Sequence, residues 1–311
     1  MIVFEQVTKI FDGRATIESL NLHIAKGKIT VLIGASGSGK STTLKMVNRL
    51  IEHDSGRVLF AGEEIRSFKI EDLRRRMGYA IQSTGLFPHW TVAQNIATVP
   101  QLLGWDKKRI AQRVDELLLM LNLESAQYRD RYPHQLSGGQ QQRIGVARAM
   151  AADPEILLMD EPFGALDPVT RAVLQDEVRR IHQISGKTIL LVTHDIDEAL
   201  TLADHLILMD NGRVVQQGHP AQILAHPAND FVRDFIGRSD LGVKILSLQT
   251  VQERVRLGNS DAPLHLAIAQ NASLKEALSN FIAHGVKVLP VLDEQMHAVG
   301  ELHFTDLLRG V

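Results

Sequence analysis

A chain of 311 residues, 44% of them hydrophobic, has room for about two domains with proper cores. Its 34 basic and 36 acidic residues nearly cancel, which gives no support to a nucleic-acid binder, since such proteins carry a basic excess or patch. With no cysteine, disulfides, cysteine-ligated zinc and iron–sulfur clusters are excluded, and a reducing compartment is permitted.

The first residues, Met1-Ile2-Val3-Phe4-Glu5, lack the basic and apolar regions of a secretory signal. No apolar run approaches the ~20 residues of a membrane span, so any work at a membrane is expected to go through a partner. Strand-like runs cover Ile2 to Val7 and Leu20 to Ile24, with a turn signal at Asp12-Gly13. Phe11, just before that turn, has a face that could stack on a base, although a Phe taken alone is more often core.

Ile29 to Ile33 reads as a buried strand and Thr42 to Leu50 as a helix. Between them lies Gly34-Ala35-Ser36-Gly37-Ser38-Gly39-Lys40-Ser41-Thr42, and strand, glycine-rich turn and helix in that order are the context of a phosphate loop. Its backbone N–H groups can turn inward as an anion cradle, and the following helix adds the positive end of its dipole. Lys40 supplies a mobile charge for the β- and γ-phosphates, and Ser41 offers a hydroxyl to Mg²⁺.

Gly56 to Gly62 looks like a hairpin, with Arg57 to Phe60 as one arm, and Met77 to Ile81 like a short strand ending at Gln82. Leu86, Phe87 and Trp90 lie among Gly, Pro and His in a loop, where they either dock a partner or fold back into the core. Thr91 to Met150 is mainly helical, with Ile110, Val114, Leu117, Leu118 and Leu121 at core spacing. Within it, Leu136-Ser137-Gly138-Gly139-Gln140 opens a helix over Gln140 to Met150, a second N-terminus suited to phosphate or, more plainly, a helix capped by Ser137.

Ile156 to Met159 is a continuous apolar run, as in a central parallel strand, and it ends in Asp160-Glu161. Two carboxylates there are costly unless they meet a cation, which a Mg²⁺ shared with the phosphate loop would provide. Ile189 to Val192 repeats the pattern and ends in Thr193-His194-Asp195, followed by a helix over Ile196 to Leu202. In a parallel sheet such strand ends share one edge, so Gln82, Asp160, Glu161 and His194 should converge on the phosphate loop.

Together these motifs resemble the ATP-binding subunit of a bacterial ABC importer, from about Met1 to Ile236. Gly34 to Ser41 looks like the Walker A loop, Gln82 the Q-loop, and Leu136 to Gln140 the signature. Ile156 to Asp160 looks like Walker B, Glu161 the catalytic carboxylate, Ala165-Leu166-Asp167 the D-loop, and His194 the switch histidine. The wording at 43–50, 76–82 and 193–199 is most similar to the branch that imports glycine betaine and related quaternary amines.

The resemblance implies an α/β P-loop NTPase, with a RecA-like core, an antiparallel β subdomain and a helical subdomain, over residues 1–237. It implies ATP and Mg²⁺ as ligands, with Phe11 on adenine, Gly34 to Thr42 on the phosphates, and Ser41, Gln82 and Asp160 at the metal. Glu161 would polarise the attacking water, His194 would contact the γ-phosphate, and Ser137, Gly138, Gly139 and Gln140 would act on ATP held by a partner copy. One phosphate loop and one signature per chain therefore imply a homodimer. The implied setting is cytoplasmic, on the inner face of the cell membrane, with permease subunits docking near Leu86, Phe87 and Trp90 and a periplasmic solute-binding protein acting indirectly. The alternatives are import of another amine or an amino acid, and a non-transport cassette ATPase.

Residues 238–311 change character. A helical stripe (Leu274, Ala277, Leu278, Phe281, Ile282), strands at Val286 to Val291 and Val299 to Phe304, and a turn at Asp293-Glu294-Gln295 resemble one CBS repeat, a small α+β domain. Members often bind adenosine through a Ser or Thr three residues before an Asp; Asp306 fits the Asp, but His303 holds the other place, so contact-making is the better reading.

Overall fold

A computed structural model of the protein describes residues 1–81, 85–164, 166–237, 240–258 and 262–308. The chain divides into two compact units, Met1–Gln217 and Gly218–Val311.

The first unit opens with a long hairpin, β1 (Ile2–Phe11) and β2 (Arg14–Ile24), in which Phe11 pairs with Arg14 across the Asp12-Gly13 turn. Both arms run further than the apolar runs alone imply, because the polar residues near the turn continue the ladder on a solvated face. β3 (Ile29–Ile33) leads into α1 (Lys40–Val47). That helix starts earlier and stops sooner than expected: Gly39 occupies its N-cap, and past its end Arg49 turns left-handed while the Asn48 carboxamide accepts the Leu50 N–H at 3.1 Å.

β4 (Ser55–Phe60) and β5 (Glu63–Glu64) form the expected hairpin, followed by α2 (Ile70–Arg75) and β6 (Met77–Ala80). A helical stretch comes next: α3 (Val92–Leu102), α4 (Lys107–Met120), α5 (Ser125–Tyr128) and α6 (Gly138–Met150). Thr91 and Ser137 cap α3 and α6 in reciprocal capping boxes with Gln94 and Gln140. Val114, Leu117, Leu118 and Leu121 are core, whereas Ile110, near the start of α4, is only half-buried. The unit closes with β7 (Ile156–Asp160), α7 (Pro168–Ser185), β8 (Thr188–Val192), α8 (Ile196–Leu202), β9 (His205–Asp210) and β10 (Arg213–Gly218).

Among the described residues the strands form a four-stranded sheet, β2-β1-β4-β5, and a six-stranded sheet, β10-β9-β3-β8-β7-β6. The first is antiparallel; in the second β9, β3, β8, β7 and β6 run parallel. β3, β7 and β8 are buried along their whole length, which is why they read as unbroken apolar runs. Phe4 and Phe60 from one sheet share a buried cluster with Leu32, Leu158 and Leu190 from the other and with Met46 of α1. Each such side chain contributes about 1.5–3 kcal/mol relative to exposure.

The second unit holds α9 (Pro220–Ala225), α10 (Asp230–Ile236) and α11 (Leu241–Ser247). After them come β11 (Arg256–Leu257), β12 (Ile268–Ala269), α12 (Leu274–His284), β13 (Val288–Leu292) and β14 (Ala298–His303). The boundary expected at 237/238 lies further along the chain than this division; here α9 and α10 group with the C-terminal elements, and the buried Lys244 ammonium donates to the Ile236 carbonyl at 2.5 Å. The strands form one sheet, β11-β14-β13-β12, over a core that includes Leu274, Ala277, Phe281, Leu289 and Val291. Ile282 departs from the expected stripe: it is 70% exposed, on the outer side of α12.

Candidate functional site

Strand register assembles the site. Leu32 of β3 and Asp160 of β7 are both level with Val192 of β8, so the turns after all three strands leave the sheet together. The Glu161 N–H donates to the Val192 carbonyl at 2.9 Å, and the Thr193 N–H to the Leu32 carbonyl at 3.1 Å. Glu161 (φ 46°) then turns left-handed, and its Oε2 lies 3.3 Å from Nδ1 of the exposed His194. Such a backbone conformation is uncommon for a residue with a Cβ and costs of order 1–3 kcal/mol.

The loop after β3 doubles back tightly. Gly34 (φ 154°) passes so close to β9 that a Cβ would lie 2.1 Å from the Met209 carbonyl oxygen. Ala35, Ser36 and Gly37 stand exposed at the tip, whereas Ser38, Gly39 and Lys40 are buried and Thr42 is half-buried. The Ser38 N–H returns to the Ala35 carbonyl at 3.2 Å. With Gly39 as N-cap there is no side-chain cap on α1, so its first N–H groups remain for an anion. Lys40 bends back along the loop and donates to the Gly34 and Ala35 carbonyls, both at 2.8 Å. Burial lowers its pKa, while the carboxylates of Glu161 and Asp160 act in the opposite direction.

Ser41 Oγ donates to Asp160 Oδ1 at 2.8 Å. The other carboxylate oxygen accepts from the Tyr79 hydroxyl at 3.4 Å and faces Lys45 Nζ at 3.7 Å. Burial, then the charge and hydrogen bond of Asp160, raise the pKa of Tyr79, so it stays a donor. A hydroxyl and a carboxylate at this spacing suit a hard cation that keeps most of its shell as water and phosphate oxygen, as Mg²⁺ does. No cluster of three or more His, Asp or Glu that could hold a metal ion occurs among the described residues.

The structure thus brings together Lys40, Ser41, Asp160, Glu161 and His194. Gln82 lies outside the described residues. Phe11 sits at the tip of the β1–β2 hairpin, 42% exposed, with Lys9 Nζ 5.0 Å from its ring centroid. Thr16 and Ile17 of the same hairpin lie beside Gly39. The Ser137–Gln140 segment makes its bonds elsewhere: Gln140 Nε2 donates to the Tyr128 hydroxyl at 3.1 Å, and Gly139 backs onto Thr170 of α7.

Several residues passed over in the sequence hold the site in shape. Gly212 clamps the phosphate loop to β2: its N–H donates to the Ser38 carbonyl at 3.1 Å, and its carbonyl accepts the Glu18 N–H at 3.2 Å. Its φ is 75°, and a Cβ would fall 2.3 Å from the Thr16 carbonyl oxygen. The Asn211-Gly212 dipeptide is a turn signal that could have marked it. Gly212→Ala is expected to destabilise the protein by about 1–3 kcal/mol. It should also weaken ATP binding more than an alanine at exposed Gly62, as thermal melts and nucleotide titration of both variants would measure. Asn95, fully buried, is another such residue: it accepts the Phe87 N–H at 2.8 Å and donates to the carbonyls of Phe87, Trp90 and Thr91. That grip leaves Phe87 and Trp90 in tilted contact, ring centroids 4.5 Å apart, on the outside, 44% and 38% exposed, rather than in the core.

Residues 17–164 match the family profile described as ABC transporter. The chain is 63% identical to the glycine betaine uptake system ATP-binding protein YehX of Escherichia coli, over 99% of each chain. It is 46% identical to the glycine betaine/carnitine/choline transport ATP-binding protein OpuCA of Bacillus subtilis, over 95% of this chain and 76% of the relative. Among solved structures it resembles the ATP-binding cassette MJ0796, a dimer bound to ADP and Pi in a post-hydrolysis state, at 30% identity and a TM-score of 0.63 over 71% of this chain and 99% of that one.

Proposed function

This chain belongs to the ATP-binding subunits of ABC transporters, and from that premise we propose that it hydrolyses ATP to drive uptake of glycine betaine or a related quaternary amine. The observation that carries the reading is the meeting of Lys40, Ser41, Asp160, Glu161 and His194 at three aligned strand ends, in a chain so similar to YehX.

The loop amides and Lys40 bind the phosphates of ATP, and Phe11 stacks on the base. Ser41 and Asp160, with Gln82, would hold Mg²⁺, which when bound would neutralise charge on the phosphate oxygens. Glu161 orients and polarises the attacking water and takes up its proton. His194, 3.3 Å from Glu161, holds that carboxylate on one side and reaches the γ-phosphate on the other. Ser137 to Gln140 would close over ATP held by a second copy, so the active form is a homodimer with two composite sites. Positioning and charge neutralisation are what phosphoryl transfer chiefly requires.

No helix among the described residues is long and apolar enough to cross a membrane. In this reading, coupling to transport runs through permease subunits. A mostly apolar groove of about 330 Å³, lined by Leu50, Met77, Phe87, Val99 and Ala152 together with Arg74 and Arg75, suits a short amphipathic helix of such a partner. Phe87→Ala with Trp90→Ala should cut recovery of permease subunits in detergent pull-downs by ~10-fold or more, on the scale of losing a central aromatic anchor. ATP affinity of the isolated subunit should stay as it was.

For residues 238–311 we retain the CBS-like reading as a contact-making domain. Arg256 grips the buried Asp306 carboxylate with both arms, at 2.7 and 2.8 Å, which leaves that residue to hold the fold rather than a ribose. The whole reading is tested by ATP-dependent uptake of labelled glycine betaine into proteoliposomes holding this subunit, its permease and the solute-binding protein. Uptake that proceeds equally well without this subunit would overturn it.

A further inference from the structure

Arg171 lies on the first turn of α7, outside the phosphate and metal sites. Its Nη2 donates to the Leu166 carbonyl at 3.3 Å, its Nη1 to Asp195 Oδ2 at 3.2 Å, and its Nε faces Glu198 Oε1 at 3.6 Å. Asp195 follows His194 directly, and its other oxygen caps α8 through the N–H groups of Asp197 and Glu198. Glu198 accepts the Thr193 hydroxyl on its second oxygen, and that hydroxyl in turn accepts the Asp195 N–H at 3.0 Å. Both neighbours of His194 are therefore tied to one guanidinium.

The Leu166 end of the grip belongs to the turn that begins at Glu161. There the Gly164 N–H returns to the Glu161 carbonyl at 3.3 Å, and the Leu166 N–H to the Phe163 carbonyl at 3.1 Å. Glu198 is buried, 4% exposed, and burial raises its pKa while Arg171 pulls the other way. A carboxylate in that setting needs its cation. A planar fork that makes two hydrogen bonds in different directions and faces a second carboxylate at ion-pair distance is the chemistry of arginine and not of lysine.

We infer that Arg171 is a positioning residue for hydrolysis: it locks the segment that carries His194 to the segment that carries Glu161, and so sets the distance between the two. It does not itself touch ATP. This rests on the reading of Glu161 and His194 as the hydrolytic pair.

The test is steady-state and single-turnover ATPase kinetics on the full chain. Arg171→Ala is expected to lower kcat about 10- to 100-fold, the scale of a misplaced catalytic group, with KM for ATP within about twofold of the parent. Arg171→Lys, which keeps the charge but not the fork, should recover only part of that loss. In a His194→Ala background, Arg171→Ala should lower the residual single-turnover rate by less than about twofold, since two residues that act as a unit are not additive. Should Arg171→Ala fold poorly, Asp195→Asn keeps the cap on α8 and removes the charge that Arg171 holds; its kcat should fall about 3- to 10-fold. A purely structural role would lower the melting temperature and leave kcat per folded molecule unchanged. That outcome, or a loss that adds in full to that of His194→Ala, overturns the inference. If Glu161→Gln and His194→Ala themselves leave turnover intact, it is the reading of the hydrolytic pair that fails.

Discussion

Glu161→Gln is expected to leave ATP affinity nearly intact and to lower turnover by ~10²-fold or more, the scale of losing a general base. The substitution keeps the shape of the side chain and removes its charge. Glu161 follows β7 in a left-handed backbone conformation, with its N–H on the Val192 carbonyl and its carboxylate on His194. The backbone bond survives the change, so the neighbouring phosphate loop should keep its form. Lys40, Ser41 and Asp160, which in the proposed reading bind ATP and Mg²⁺, keep their side chains. Because hydrolysis would reopen the closed dimer, the variant should accumulate as an ATP-bound dimer. Gel filtration with ATP that finds only monomer, together with normal turnover, would contradict this.

A comparable loss is expected from Lys40→Ala and from Ser137→Arg, each by a different route. Lys40 is 5% exposed and spans the Gly34 and Ala35 carbonyls, so its removal takes the charge out of the phosphate site and the brace out of the loop. Ser137→Arg puts bulk and charge where the second copy's γ-phosphate should sit. It also removes the N-cap of α6, at about 1 kcal/mol; Ser137→Thr, which keeps the cap, is the control for that part. Each variant alone should be nearly inactive. In purified heterodimers both lesions fall on the same composite site, which leaves the other site intact, so activity should return on mixing. Heterodimers that stay inactive, while single-site dimers made otherwise are active, would show that the signature serves its own chain.

The local features of this site were legible in advance, and for a common reason. The phosphate loop, the Asp160-Glu161 pair, His194 and the Ser137 cap are each contained within a few residues, and each follows or opens an element whose periodicity is plain. β3, β7 and β8 read as unbroken apolar runs because both faces of the sheet are covered. The same logic misplaced what depends on partners far along the chain. β1 and β2 run on through polar residues because each supplies the other's ladder bonds. Phe87 and Trp90 were equally readable as core, and the buried carboxamide of Asn95 decides that they face outward.

By itself, then, the sequence determined which groups are available for phosphate and metal chemistry, and that they stand at the ends of strands. Only the tertiary structure decided that Leu32 and Asp160 are both level with Val192, that Gly212 clamps the phosphate loop to β2, and that Arg171 ties Asp195, the residue after His194, to Leu166 in the turn after Glu161. The physical reason is that strand order, register and side-chain ion pairs are set by contacts between residues distant in the chain. Hydrophobic pattern and turn residues report on local conformation and on burial, but they do not say which distant group a buried side chain will meet.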